Sequence, residues 1–353
     1  MKLMLVDTDA KQRVARLIDA NLDRAREGLR VIEDWCRFGL DRDDFVRPLK
    51  DWRQQLGEHH HDRYRQARST ATDRAAGLSH PAQARRSSVT AIIKANASRV
   101  QEALRVLEEF GRNTDPELAQ AAAEIRYCLY DLEVRVLEAC GHQYRLQQLE
   151  QAKLCLITDP DRDNNLERLL HGVEAALSAG VNLVQFRRKQ GTDQQRLLEA
   201  KALANLCRRF EALFIINDRI DLALLVDADG VHLGQDDLPL AEARQLIGPG
   251  RLLGRSTHNL DQLLMAQQEG ADYVGVGPVF PTQTKPERTP AGLSWVQEAS
   301  QHASLPWFAI GGIDSQTICS VCSAGAERVA VVSAIMGSND PAEASRILLQ
   351  ILS

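Results

Sequence analysis

From residue 154 onward the chain repeats one alternation eight times: a short run rich in Val, Ile, Leu or Phe, then a stretch with helical spacing. The runs fall at 154–158, 182–187, 213–217, 230–233, 252–256, 273–277, 307–310 and 328–332. Helical patterns occupy 166–178, continue to Arg209 after the second run, return at 221–226 and close the chain at 342–352. Short strands in strict turn with helices imply right-handed βαβ units and a parallel sheet. Eight such units in about 200 residues predict an α/β fold, a compact (β/α)8 TIM barrel with its site at the C-terminal ends of the strands. An open doubly wound sheet is the runner-up, but no Gly-x-Gly-x-x-Gly fingerprint follows any run.

Residues 1–150 are of a different kind, and the domain boundary is expected at 150/151. They hold 25 Lys and Arg, 21 of them Arg, against 24 Asp and Glu, which leaves 18 bases and 24 acids in 151–353. An internal repeat organises this all-α domain. The segment 21–33 (NLDRAREGLRVIE) returns as 96–108 (NASRVQEALRVLE), 75 residues on, with Arg37 mapping on Arg112. Leu22, Ala25, Leu29, Ile32 and Cys36 follow the spacing of a helix buried on one stripe, and Ala97, Val100, Leu104 and Leu107 repeat it. A pseudo-symmetric bundle with one repeated helix in each half follows. The Arg and Glu residues three or four apart within each copy form either ion-pair ladders or an anion pocket. The Ser/Ala/Arg-rich stretch 67–90 reads as a long loop, either a phosphate lid or a surface excursion.

Several function classes are excluded. No apolar run approaches the roughly 20 residues of a membrane span. Asp7 and Asp9 come too early for a secretory signal. A net charge of −5 gives no reason to expect nucleic-acid binding. Seven cysteines, odd in number and irregular in spacing, point to a reduced, cytoplasmic protein rather than a disulfide framework. The Cys319-x-x-Cys322 spacing is expected to be two buried small residues one turn apart. His59-His60-His61-Asp62 could catch a transition metal in solution, but consecutive helical residues point in different directions, so it is expected to be surface.

Polar residues stand where a barrel would place a site. In the second run Gln185, Arg187 and Lys189 alternate and share one direction. Asn217-Asp218-Arg219 follows the third run, and Gly234-Gln235-Asp236-Asp237 the fourth. Ser256 ends the fifth. The loop 281–285 (PTQTK) follows the sixth, Gly311-Gly312 the seventh, and Ser333 the eighth. Cations, amides, hydroxyls and two separated carboxylates at one mouth suit phosphate esters held partly by protein and partly by Mg²⁺. Glycine-rich loops after the last two strands suit a second phosphate.

In their unbroken order these motifs resemble thiamine-phosphate synthases: Leu156-Ile157-Thr158-Asp159, Gln185-x-Arg187-x-Lys189, Ile216-Asn217-Asp218, Gly230-Val231-His232-Leu233-Gly234-Gln235-x-Asp237, Gly254-x-Ser256, Gly277-Pro278-x-Phe280-x-Thr282-x-Thr284-Lys285 and Ala309-Ile310-Gly311-Gly312-Ile313. The resemblance covers 152–353. It implies a barrel that joins hydroxymethylpyrimidine diphosphate to thiazole phosphate and releases diphosphate by a dissociative route. It implies that Gln185, Arg187, Lys189, Asn217, Ser256 and Lys285 hold the pyrimidine diphosphate, with Arg187, Lys189, Ser256 and Lys285 the catalytic set. Asp218 and Asp237 would bind Mg²⁺. Thr282, Thr284, Gly312, Val332 and Ser333 would hold the thiazole phosphate, with 281–285 as a lid. Arg188 departs from the acidic residue often found there; it points away from the alternating set and is expected to change little. The alternatives are a thiazole tautomerase-like barrel, which His232 and His258 keep open, and a non-catalytic sensor of phosphorylated ligands. Partners are then small molecules, without nucleic acid or membrane; homo-oligomerisation is left open.

Residues 9–145 resemble the helical domain that some bacterial members carry in front of the barrel, on the stretch Lys94-Ala95-Asn96-x-x-Arg99-x-x-Glu102-Ala103-Leu104-Arg105-x-Leu107-Glu108-Glu109. That resemblance implies a pyrimidine-phosphate kinase, with dimerisation or regulation as alternatives. No Walker-type phosphate loop is present in the sequence.

Overall fold

A computed structural model describes residues 2–69, 86–158, 165–282 and 288–353. Its contacts divide the chain into two compact units, Met1–Gly141 and His142–Ser353. The first contains α1 (Lys2–Phe38), α2 (Asp43–Glu58), α3 (Asp62–Arg65), α4 (Val89–Gly111) and most of α5 (Pro116–Gln151). Of the long loop read at 67–90, residues 70–85 lie outside the described residues; Ser88 caps α4 by accepting from the Ala91 N–H at 3.1 Å.

The repeat is built as two matching halves. Ile18, Leu22, Ala25, Leu29 and Cys36 of α1 are fully buried, as are Ala97, Val100, Leu104 and Leu107 of α4. Asn21 and Asn96 each donate to the carbonyl four residues back at 2.9 Å, and Arg24 and Arg99 each reach their own copy's Asn at 3.5 Å. Gly28 lies so close to the other copy that a Cβ there would meet Val100 Cγ2 at 2.5 Å. The match extends into a second helix that the sequence reading did not pair. Arg53 of α2 donates to Glu33 at 2.6 Å, and Arg126 of α5 donates to Glu108 at 2.9 Å. Phe45, Leu49 and Leu56 correspond to Leu118, Ala122 and Leu129, all buried. Each half is thus a helix pair clamped by an Arg–Glu bond, and the repeated Arg and Glu residues form ion pairs: Arg30 with Glu33 and Asp34, and Arg105 and Arg112 with Glu108.

His60 corrects the surface reading of the histidine run. It is 5% exposed, with Nε2 at 2.8 Å from Asp19 Oδ1. Arg68 forks onto the same carboxylate at 2.7 and 3.0 Å. Burial favours neutral Asp19, but Arg68 and His60 outweigh it and hold the carboxyl below its usual range. Asp115, before α5, is also buried. Its Oδ1 accepts from the Leu118 N–H at 3.2 Å, and its Oδ2 from Tyr64 and Arg63 at 2.7 Å each. Those bonds overcome burial and keep it ionised below the ordinary carboxylate range.

The second unit is a closed parallel barrel in chain order: β1 (Leu154–Ile157), β2 (Leu183–Phe186), β3 (Leu213–Asn217), β4 (Gly230–Leu233), β5 (Leu252–Thr257), β6 (Tyr273–Val276), β7 (Trp307–Ile310) and β8 (Val329–Val331). The doubly wound alternative is therefore set aside. Around it run α6 (Leu166–Ser178), α7 (Asp193–Arg209), α8 (Ile220–Leu225), α9 (Leu240–Ile247), α10 (Leu260–Gln268), α11 (Gly292–His302), α12 (Ile318–Ser323), α13 (Ser333–Met336) and α14 (Pro341–Leu352). Side chains alternate across each strand. One face (Leu154, Val184, Phe214, Val231, Leu253, Val274, Ala309, Val329) packs with the helices, and the other (Cys155, Leu183, Leu213, Leu252, Tyr273, Phe308, Ala330) fills the interior.

Leu149 and Ala152, at the end of α5, belong to that interior cluster. His142 bonds Asp272 at 2.9 Å, Arg145 bonds Asp229 at 2.8 Å, and Gln148 reaches the Glu211 carbonyl at 3.3 Å. These acceptors precede β6, β4 and β3, so the last turns of α5 close the N-terminal end of the barrel. The compact barrel unit therefore starts at His142 rather than at 151. Cys319 is exposed and Cys322 half-buried, which corrects the expectation that both are buried. Among the described residues, no helix is long and apolar enough to cross a membrane.

Candidate active site

At the C-terminal ends of the strands lies a cleft open to solvent. β2 delivers Gln185 and Arg187 to its wall. Thr158, fully buried, fixes that strand end: its N–H donates to the Gln185 carbonyl at 2.9 Å and its hydroxyl accepts from the Arg187 N–H at 3.1 Å. Among the described residues, the Arg187 Nε is buried without a hydrogen-bond partner. A buried donor left this way fits an acceptor brought by a ligand. Arg188 turns to the other side, where its guanidinium forks onto Glu199 at 2.9 and 3.0 Å, both side chains nearly inaccessible. It points away from the mouth, as the alternation requires, yet it anchors the β2–α7 connection.

β3 ends in Asn217, which lines the cleft, and Asp218, whose φ of 60° is left-handed. That backbone, uncommon outside Gly but most accessible to Asp and Asn, turns the carboxylate at the strand's end. Asp218 pairs with Lys189. It also interacts with Asp237, the fourth-strand carboxylate. Asp237 is itself held by the Gly234 N–H at 2.6 Å. Burial and the neighbouring Asp218 charge push the Asp237 carboxyl above its usual value. Burial works against Asp218 as well, but Lys189 and the neighbouring Asp237 outweigh it and lower it. The two hard oxygen donors fit a Mg²⁺ ion.

Behind the cleft runs a buried polar chain. The Tyr273 hydroxyl is 3.2 Å from His232 Nδ1, and His232 Nε2 is 2.9 Å from Ser256 Oγ. Burial pushes the Tyr273 phenol up, so it stays protonated. Gly254 makes room: a Cβ there would meet Tyr273 Cζ at 2.3 Å and His232 Nδ1 at 2.6 Å. Gln235 donates to the Ser256 carbonyl at 2.6 Å, fixing that strand end from outside. His258 also lines the cleft, bonded to the Gly277 carbonyl.

The opposite wall holds Thr282, Gly312, Val332 and Ser333. Gly311 and Gly312 have φ of 105° and 64°, and a Cβ on Gly312 would meet the Pro281 carbonyl oxygen at 2.7 Å. Only glycine lets the β7 end pack this close to the β6 loop. α13 opens at Ser333 and sets the positive end of a helical turn on the rim. Asp159, Gln283, Thr284 and Lys285 lie outside the described residues, and with them most of the loop expected as a lid. Arg288 lines the cleft and reaches Asp236 at 3.3 Å. The motif reading stopped at Lys285 and missed it, although a cation three residues further along the same loop was the available signal.

Anion-binding groups and a carboxylate pair at the strand ends of a closed barrel define an enzyme for phosphorylated small molecules. Residues 154–335 match the family model for thiamine monophosphate synthase, and 16–135 match the ThiD2 family. The chain belongs to the thiamine-phosphate synthase family, transferases of thiamine biosynthesis. It is 80% identical to a thiamine-phosphate synthase of Synechococcus sp. strain CC9311 over the full length of both chains. It is 52% identical to that of Nostoc sp. strain PCC 7120, over 97% of this chain and 95% of the relative. The solved thiamine phosphate pyrophosphorylase of Pyrococcus furiosus superposes with a TM-score of 0.53 at 36% identity, covering 59% of this chain and 96% of that one.

Proposed function

We propose that the cleft joins hydroxymethylpyrimidine diphosphate to thiazole phosphate by letting diphosphate depart first. The observation that carries this reading is the carboxylate pair Asp218–Asp237, beside Lys189 and next to a cleft where Arg187 offers a buried donor with no partner among the described residues. Gln185, Asn217 and Ser256 orient the pyrimidine diphosphate. Asp218 and Asp237 hold Mg²⁺, and the ion, when bound, supplies positive charge to the leaving diphosphate. Arg187 and Lys189 bind the same oxygens, with Lys285 assigned there by resemblance. Negative charge grows on this group as the carbon–oxygen bond breaks, so preorganised cations lower the barrier more than a base would. Thr282, Gly312, Val332 and Ser333, with Thr284, hold the thiazole phosphate so that its ring nitrogen faces the pyrimidine methylene carbon. Water must be kept from that carbon, the role given to the 281–285 loop.

The test is diphosphate release by the full chain with both substrates, with and without Mg²⁺. A sensor would bind both and release nothing; a tautomerase would not require the pyrimidine substrate.

The ThiD2 match supports a second reading for the helical unit, phosphorylation of hydroxymethylpyrimidine phosphate, so that one chain makes and consumes the diphosphate. Thiamine phosphate formed from the monophosphate, ATP and thiazole phosphate tests it. Formation only from the diphosphate would leave the unit a dimerisation or regulatory role. On the cysteine pattern the reaction belongs in the cytoplasm.

A further inference from the structure

We propose that His59, His61 and Asp115, in the helical unit, form a site for a divalent first-row transition metal such as zinc. Among the described residues, the ligating atoms of these three side chains lie within 4.8 Å of one another.

The backbone explains how neighbours in a histidine run reach one point. His59 ends α2 in a helical conformation (φ −77°, ψ −6°), and His61 opens α3 in an extended one (φ −64°, ψ 154°). The His61 N–H bonds back to the His59 carbonyl at 2.9 Å, a tight reversal. His60 is driven inward to Asp19, while His59 and His61 emerge together with ring centroids 6.3 Å apart. The third donor comes from a rigid position: Asp115 is 7% exposed and tied by the Leu118 N–H and the Tyr64 hydroxyl. Those two bonds aim its carboxylate in the manner of the outer-shell groups that orient metal ligands. His61 Nε2 stands 3.8 Å from Asp115 Oδ2.

Bonds of about 2.0–2.1 Å require donors roughly 3.4 Å apart in a tetrahedral site. Side-chain rotation of His61, about half exposed, covers much of the remaining distance. Arg63 also bonds Asp115 Oδ2, at 2.7 Å. Its guanidinium is more than half exposed and can swing to solvent, so it serves as counter-ion when no metal is bound. Two imidazoles and one carboxylate suit zinc, cobalt or nickel, whereas magnesium and calcium prefer oxygen alone. Such a set leaves coordination positions open to water or a phosphate oxygen.

The experiment is titration of the full chain, purified without a polyhistidine tag, with Co²⁺ and Zn²⁺. Equilibrium dialysis gives stoichiometry, and the visible absorption of bound cobalt reports coordination. The native chain is expected to take up one equivalent at this site. The double variant His59→Ala/His61→Ala is expected to lose about 100-fold or more in affinity, and Arg63→Gln to bind more tightly. No uptake by the native chain, or undiminished uptake by the double variant, would overturn the proposal. Unchanged affinity in Arg63→Gln would remove Asp115 from the ligand set and overturn it as stated.

Discussion

Arg188 and Glu199 form a buried forked ion pair, 2.9 and 3.0 Å, directly behind the strand end that carries Gln185 and Arg187. Removing one partner leaves the other charge buried and alone. Glu199→Ala is therefore expected to cost ~3–5 kcal/mol, while the double change to Met at both positions recovers most of it. Thermal denaturation of the three proteins checks this. A Glu199→Ala midpoint equal to that of the native chain would reject the anchoring role.

Arg187 offers the cleft a buried donor with no partner among the described residues. Arg187→Ala is expected to lower turnover by about 10²–10³-fold, the loss typical of one preorganised donor to developing charge. Steady-state kinetics with thiazole phosphate varied should show its KM little changed. A KM effect without a turnover effect would assign Arg187 to ground-state binding.

Magnesium and a proton on Asp237 compete for one carboxylate. Asp237 is raised above the ordinary carboxylate range by burial and by Asp218, so metal affinity should fall as pH drops through that raised value. Asp237→Asn should weaken Mg²⁺ activation and flatten its dependence on acid. Activation measured from pH 7 down to pH 5 decides the matter; identical magnesium curves for both proteins would count against a metal there.

Relaying through Tyr273 and His232, the barrel interior holds the Ser256 hydroxyl in place. His232→Phe should reduce turnover about tenfold or more through loss of orientation, given the steep cost of small misplacements. His232→Asn, which keeps a hydrogen-bonding group, should recover part of it. Equal losses in both variants would point to packing alone.

Asp19 is depressed despite burial by Arg68 and His60, and Asp115 likewise by Tyr64 and Leu118. A lowered folded value means the stabilisation is present above about pH 4 and is lost as pH falls through the folded value. Asp19→Asn should thus weaken amide-exchange protection across α1 at pH 7. The gap between variant and native should close as pH falls below the ordinary carboxylate range and through the lowered value. A gap that persists in acid would mean that the carboxylate charge is not its source.

Much of the barrel is legible in the sequence because its period is short and repeated: β3, β4 and β7 fall on the residues that the apolar runs mark. Of the strand-end residues, alternation marks Gln185, Arg187 and Lys189, the order of the runs places the others, and their roles came only from the family resemblance. Three things were hidden, each for a physical reason. The second paired helix keeps Arg53 and Arg126 in register but swaps Leu49 for Ala122, so the likeness survives in packing and not in letters. His60 turns inward because a backbone reversal, not helical periodicity, governs 59–61. The α5 pattern continues without a break from one unit into the next, so no composition shift announces where its contacts change hands.

That last helix has a practical meaning for anyone dividing this protein. A barrel begun at Lys153 would start with its floor missing, since Leu149 and the Arg145–Asp229 and His142–Asp272 bonds would be discarded with the helical half. The seam for a clean separation lies at His142, one helix turn and more before the first strand comes into view.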